Sequence, residues 1–195
     1  LKINLNVIRK DTPSAVKFVI FQRVNSGGES LKPQEMRHAL NQGKPARFIK
    51  DLAEEPAFIK VTRNSIKSRR MEDRDYANRF VAFYLFGYTK MYEGDLNFFM
   101  NLAMEQINVL SDAERESLKK AFISSMQLCF EIFGNKAFSN PEASKNSVSK
   151  SIFDTLSVNI GWLNAQQCET LKKYKDEFIT SFNNLFHDDE FIKAI

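Results

Sequence analysis

Apolar residues along this chain recur for the most part at helical spacing. Tyr76, Ala77, Phe80, Phe83 and Tyr84 fall on one face of a helix that begins at Asp73 and ends near Gly87. Leu96, Phe99, Met100, Ala103 and Ile107 form a second such face behind Asp95, whose short carboxylate suits a helix cap. Ser111 and Glu114 frame a capping box, and the helix it opens runs through Leu118, Phe122, Cys129 and Ile132 to Gly134. Residues 135–147 are polar, carry Pro141 and read as a loop. Ile152, Phe153, Leu156 and Ile160 mark another helix, ended near Gly161. Asn164 then caps a last long one, with Leu171, Tyr174, Phe178 and Leu185 on its buried face.

The front of the chain is less regular. INLNVI, Ile3 to Ile8, alternates apolar residues with Asn, the period of a half-buried strand. A strand alone is unstable, so its sheet is expected upstream of Leu1 or in another copy of the chain. Thr12 and Pro13 read as an N-cap and first helical position, with Val16, Val19, Ile20 and Val24 on one face and Asn25 with Gly27 and Gly28 as the stop. Pro33 opens a second helix carrying Met36 and Leu40 and closed by Gly43, and a short helix over Ala46 to Glu54 follows. The expected fold is mainly α, a multi-helix bundle with one N-terminal strand left over.

Composition agrees with this. A chain of 195 residues supports one sizeable core, or one large and one small subdomain. Its 18 Phe suit an aromatic helical interior, while 7 Gly and 5 Pro are too few for a turn-rich β sandwich. No run of 18 uncharged apolar residues is present, so no membrane partner is expected. The chain opens at Leu1 without an initiator Met or a signal pattern, which reads as a truncated start in a cytoplasmic protein. Cys129 and Cys168 lack CxxC spacing and are expected as free thiols. The net charge of +4 is uneven: residues 1–79 hold 17 Lys and Arg against 9 Asp and Glu, and the remainder is net acidic. The basic part favours an anionic partner.

Three stretches carry candidate chemistry. In FQRVNSGGESL, residues 21–31, the amides around Gly27 and Gly28 can form a nest for anionic oxygen. Arg23 can offer a fork to a phosphate, and Asn25 can bond a base, a sugar or the loop itself. The same residues equally describe a plain helix stop and turn; no Lys-Ser/Thr pair follows the glycines, so this is not a Walker A loop. Glu35 and Arg37 either touch a ligand in that loop or form a surface pair. Lys60, Arg63, Lys67, Arg69 and Arg70 form a run of five cations without an acid, a candidate for DNA phosphates or a solvated linker. His38 and His187 lie far apart with no second ligand at helical spacing, so neither a metal site nor a catalytic residue is assigned.

Four stretches in order resemble the GmrSD-type N-terminal domain family. IFQRVNSGGESLKPQEMRHAL matches its arginine–asparagine–diglycine loop and the Glu-x-Arg helix behind it. SRRMEDRDYANRFVAFYL, EIFGNKAFSN and SIFDTL match later segments. The resemblance implies a ParB/sulfiredoxin-like fold in modification-dependent restriction and phage-defence proteins. It further implies an NTP with a divalent cation in the intact parent, with none held by this fragment. The family's Asp-Gly-Gln-Gln-Arg motif and the fused HNH nuclease are both missing from these residues. By this resemblance Arg23, Asn25, Gly27, Gly28, Glu35 and Arg37 border a nucleotide pocket. Residues 1–55 would then end a ParB-like subdomain and 56–195 would form a helical one, meeting DNA or a nuclease subunit. Such a fragment is expected to be inactive alone. Lys32 departs from the family's Ser or Thr and cannot accept a capping bond, so that helix start is weaker or Ser30 substitutes. The competing expectation is a helical interaction or dimerisation module that binds neither nucleotide nor DNA.

Overall fold

The computed structural model describes residues 7–9, 11–25, 29–88, 92 and 94–194. Among them are eleven α-helices and no strand. In order they are α1 (Ser14–Val24), α2 (Pro33–Leu40), α3 (Lys44–Ala53), α4 (Pro56–Val61), α5 (Glu72–Phe86) and α6 (Leu96–Val109). Then follow α7 (Asp112–Phe133), α8 (Lys150–Gly161), α9 (Ala165–Lys173), α10 (Lys175–Asn184) and α11 (Asp189–Ala194). The mainly α bundle expected from the apolar pattern is the observed architecture. Most of the INLNVI segment lies outside the described residues, as do Gly27 and Gly28; Val7 and Ile8 are exposed.

Helix α5 is the axis of the bundle, packed by α3, α6 and α8. Its Ala77, Phe80, Val81 and Ala82 have no exposure, because they occupy the stripe that faces these neighbours. Phe80 meets Phe122 of α7 edge to face with centroids 5.0 Å apart. Phe122 meets Phe58 of α4 at 5.7 Å, and Phe153 of α8 stands edge-on to Tyr76 at 5.1 Å. Rings in such geometry contribute roughly 0.5–1.5 kcal/mol per pair beyond their burial. Ile49, Leu52 and Ala53 of α3 belong to the same core as the residues beyond 56.

Caps fix the ends. The Asp95 carboxylate accepts from the amides of Asn97 and Phe98. Ser111 and Glu114 exchange bonds as the capping box requires, at 2.7 and 3.3 Å. Gly87, at φ 70°, ends α5 in a conformation that costs glycine little.

Three features depart from the sequence pattern. Gly43, at φ 92°, stands at the start of α3 rather than closing α2, which stops at Leu40. Helix α4 lies inside the stretch that began the basic run, so Lys60 is helical. The long final helix breaks at Tyr174, which closes α9 and opens α10. The break turns Phe178 and Phe182 onto Phe133, at 5.8 and 5.2 Å, and burying these rings outweighs one continuous hydrogen-bond ladder.

Candidate functional site

The largest cavity described, about 640 Å³, opens where the first turns of α2, α6 and α8 converge on α5 and the segment before it. Its lining holds seven Lys and Arg side chains against two carboxylates, Glu72 and Asp75.

Helix α2 supplies the floor. Pro33 occupies its first turn, and the Glu35 carboxylate accepts the Lys32 amide at 2.6 Å. Lys32 has no acceptor to return the bond, so only half of a capping box forms, as its ammonium dictates. The helix turns Gln34, Met36 and Arg37 inward. Arg37 is 1% exposed and spends its guanidinium on three acceptors: Gln34 Oε1 at 2.8 Å, Asn97 Oδ1 at 3.0 Å and Asp75 Oδ1 at 3.0 Å. Burial pulls Arg37 down to about 10, with Asp75 opposing, so it stays charged at neutral pH. Asp75 also accepts Lys150 Nζ at 2.8 Å, which joins α8 to α5 and α2.

The wall comes from the turn before α5. Arg70 and Met71 both hold left-handed backbone, at φ 62° and 56°, a conformation that costs L-residues of order 1 kcal/mol or more each. The two residues reverse the chain and aim Arg70 back at α2. Its Nε donates to both Glu35 oxygens, at 3.0 and 2.9 Å, while its outer nitrogens reach Glu29 and the Ser30 carbonyl. Arg70's bonds hold the Glu35 carboxyl below its usual range. Deeper along α5, Arg79 grips Asp154 with Nε and Nη2. Burial pushes the Asp154 carboxyl up to about 6 even so. Lys32 and Arg69 line the mouth and are exposed; neither side chain forms an ion pair among the described residues, although the Lys32 charge acts on Glu35.

The two candidate sets thus meet in part. Arg37 comes from the proposed nucleotide set, and Lys67, Arg69 and Arg70 come from the proposed DNA set; all four line one cavity. Glu35 stands behind Arg70 rather than beside Arg37. Arg23 lies exposed in the last turn of α1 and is not among the lining residues, and Asn25 ends that helix through its amide to Phe21. Arg63 turns elsewhere. It donates to the carbonyls of Asn135, Ala137 and Asn146 and to Ser139 Oγ, stapling the loop before α8. The Lys60 ammonium sits 4.2 Å from the Phe130 ring centre, over α7.

Gln34, Asp75, Arg79, Asn97 and Lys150 were not singled out by sequence. A signal existed for two of them: Asp75 and Arg79 are an acid and a base one turn apart beside the aromatic stripe of α5. Elsewhere, among the described residues, no three His, Cys, Asp or Glu side chains group to hold a metal ion, and no helix is long and apolar enough to cross a membrane. Comparison with protein-family models, with curated proteins and with solved structures finds no match.

Proposed function

We propose that this chain binds a phosphorylated ligand in the cleft between α2, α5, α6 and α8, as part of a nucleotide-dependent, DNA-associated restriction or phage-defence protein. The observation that carries the reading is the imbalance of charge around a ligand-sized cavity, with Lys32 and Arg69 exposed at its mouth and in no ion pair among the described residues. Paired cations such as Arg37 and Arg79 serve the fold first; unpaired ones at a rim attract and hold anions. The resemblance to GmrSD-type domains supports a nucleoside triphosphate as the ligand and DNA as the wider partner. Arg37 fits the family's loop-and-helix border of the nucleotide pocket by residue type.

The reading is tested by calorimetric titration of the chain with GTP and ATP at low and high salt. Micromolar to millimolar binding that weakens as salt rises, and is lost in a Lys32→Glu, Arg69→Glu double variant, supports it. No binding at low salt rejects it.

A second reading rests on α1. Val16, Val19 and Val24 are 46%, 44% and 78% exposed, which leaves an apolar row for a protein partner. Sedimentation of the chain across a concentration series separates self-association through this face from a monomer.

A further inference from the structure

A second cavity, of about 330 Å³, opens between α8, α10 and α11. Ile152, Leu156 and Ile160, one turn apart along α8, make its floor, and Phe178, Phe182 and Phe191 close its sides. Thr155, Asn159, Ser181 and Leu185 line it too and are exposed, so the groove is open to an incoming side chain. Beyond those three rim polar groups the lining offers no hydrogen bond, which suits an apolar side chain.

Charge narrows the choice of occupant. Helix α10 opens with Asp176 and Glu177, and Asp188, Asp189 and Glu190 precede Phe191. All five are exposed and in no ion pair among the described residues. Residues 175–193 set these five against two lysines, so the surroundings of the groove are net acidic. Helix α1 has the complementary character. It contains no acid, and residues 9–24 carry four Lys and Arg against Asp11 alone. Val16, Val19 and Arg23 follow one another along one exposed side of it, while Phe18 is buried. Within its own chain α1 packs on α2 and α6.

We infer that the α1 of a second copy of this chain lies in this groove, with Val16 and Val19 on the apolar floor and Arg23 toward the acidic rim. Two different surfaces meet, so the contact is heterologous. The inference rests on the exposed α1 row of the second reading above and names the surface that covers it; it is independent of the phosphate cleft.

The test is sedimentation of the whole chain across a concentration series, at low and at high salt. Val16→Glu alters the α1 row and Ser181→Arg fills the groove; both positions are exposed and neither lines the phosphate cleft. The unaltered chain should self-associate, about tenfold more weakly at high salt. Each variant alone should be monomeric at the same concentrations. An equal mixture of the two should form a one-to-one pair, because one keeps its groove and the other keeps its α1. A mixture that stays monomeric overturns the inference. Association lost in Val16→Glu but kept in Ser181→Arg overturns the groove as the socket and leaves the α1 reading standing. An unaltered chain that is monomeric throughout overturns both. Should Ser181→Arg not fold, Thr155→Arg blocks the same groove from the exposed side of α8.

Discussion

The guanidinium of Arg37 lies 3.0 Å from Asp75 Oδ1, a contact that joins α2 to α5 across 38 positions of sequence at 1% exposure of the arginine. Both charges gain from the pairing only while each keeps its partner. Removal of Asp75 leaves Arg37 buried without a counter-charge, whereas removal of Arg37 leaves Asp75 still paired with Lys150. Asp75→Leu should therefore lower stability by about 3–5 kcal/mol, more than Arg37→Met. The Arg37→Met, Asp75→Leu double variant should cost clearly less than the sum of the singles. Urea unfolding of the four proteins checks this, and strictly additive losses would show that the pair does not act as a unit.

Cations at the mouth of the cleft and cations built into the fold should separate cleanly. Lys32→Glu and Arg69→Glu alter exposed side chains that form no ion pair among the described residues, so stability should stay within about 0.5 kcal/mol. Affinity for inorganic triphosphate should fall roughly tenfold for each reversal at low salt. Arg63→Ala should do the opposite. It removes the donor to four acceptors in the 135–146 segment, so amide exchange there should speed up while triphosphate affinity holds. Calorimetry and hydrogen exchange on the same samples compare the two effects.

The Arg70–Glu35 contact sets a pH dependence. Arg70's hydrogen bonds lower the Glu35 carboxyl from its usual 4.5, so the folded chain binds this proton less readily than the unfolded one. Its stabilising effect is complete above about pH 4.5 and disappears as pH falls through the lower folded value. Glu35→Gln should remove that part of the acid dependence and leave the contributions of other shifted carboxyls, Asp154 among them, in place. Thermal melts of the chain and the variant from pH 3 to pH 7 check the sign.

The aromatic core predicts a larger loss. Phe80 touches both Phe122 and Tyr84, at 5.0 and 5.3 Å, and has no exposure. Phe80→Ala should cost about 3–5 kcal/mol, because the surrounding helices cannot close the space left behind. A chemical-denaturation midpoint that hardly moves would show that the core repacks.

What the sequence disclosed was mostly local. Ser111 and Glu114 are three residues apart, and Asp95 lies next to the helix it caps, so their roles need no knowledge of the fold. Tyr76, Phe80 and Phe83 announce a buried helix by spacing alone. The cleft is different in kind. Arg37 pairs with Asp75, which pairs with Lys150 a further 75 positions on, and no periodicity reports such a meeting. Glu35 and Arg37 suggested a pair with each other; the turn of α2 sends Arg37 inward and Glu35 toward Arg70 instead. The basic run 60–70 read as one stripe, yet α4 and the left-handed residues Arg63 and Asn64 split it, so Arg63 faces one loop and Arg70 another.

The central claim, that a phosphorylated ligand occupies this cleft, is tested most directly by methionine methyl resonances. Met100 lines the cavity from α6, whereas Met126 is buried in α7 and is not among the lining residues. Titration of methyl-labelled chain with GTP should shift Met100 along a saturable curve and leave Met126 in place. A ligand that moves Met126 and not Met100, or saturating GTP that moves neither, would contradict the account.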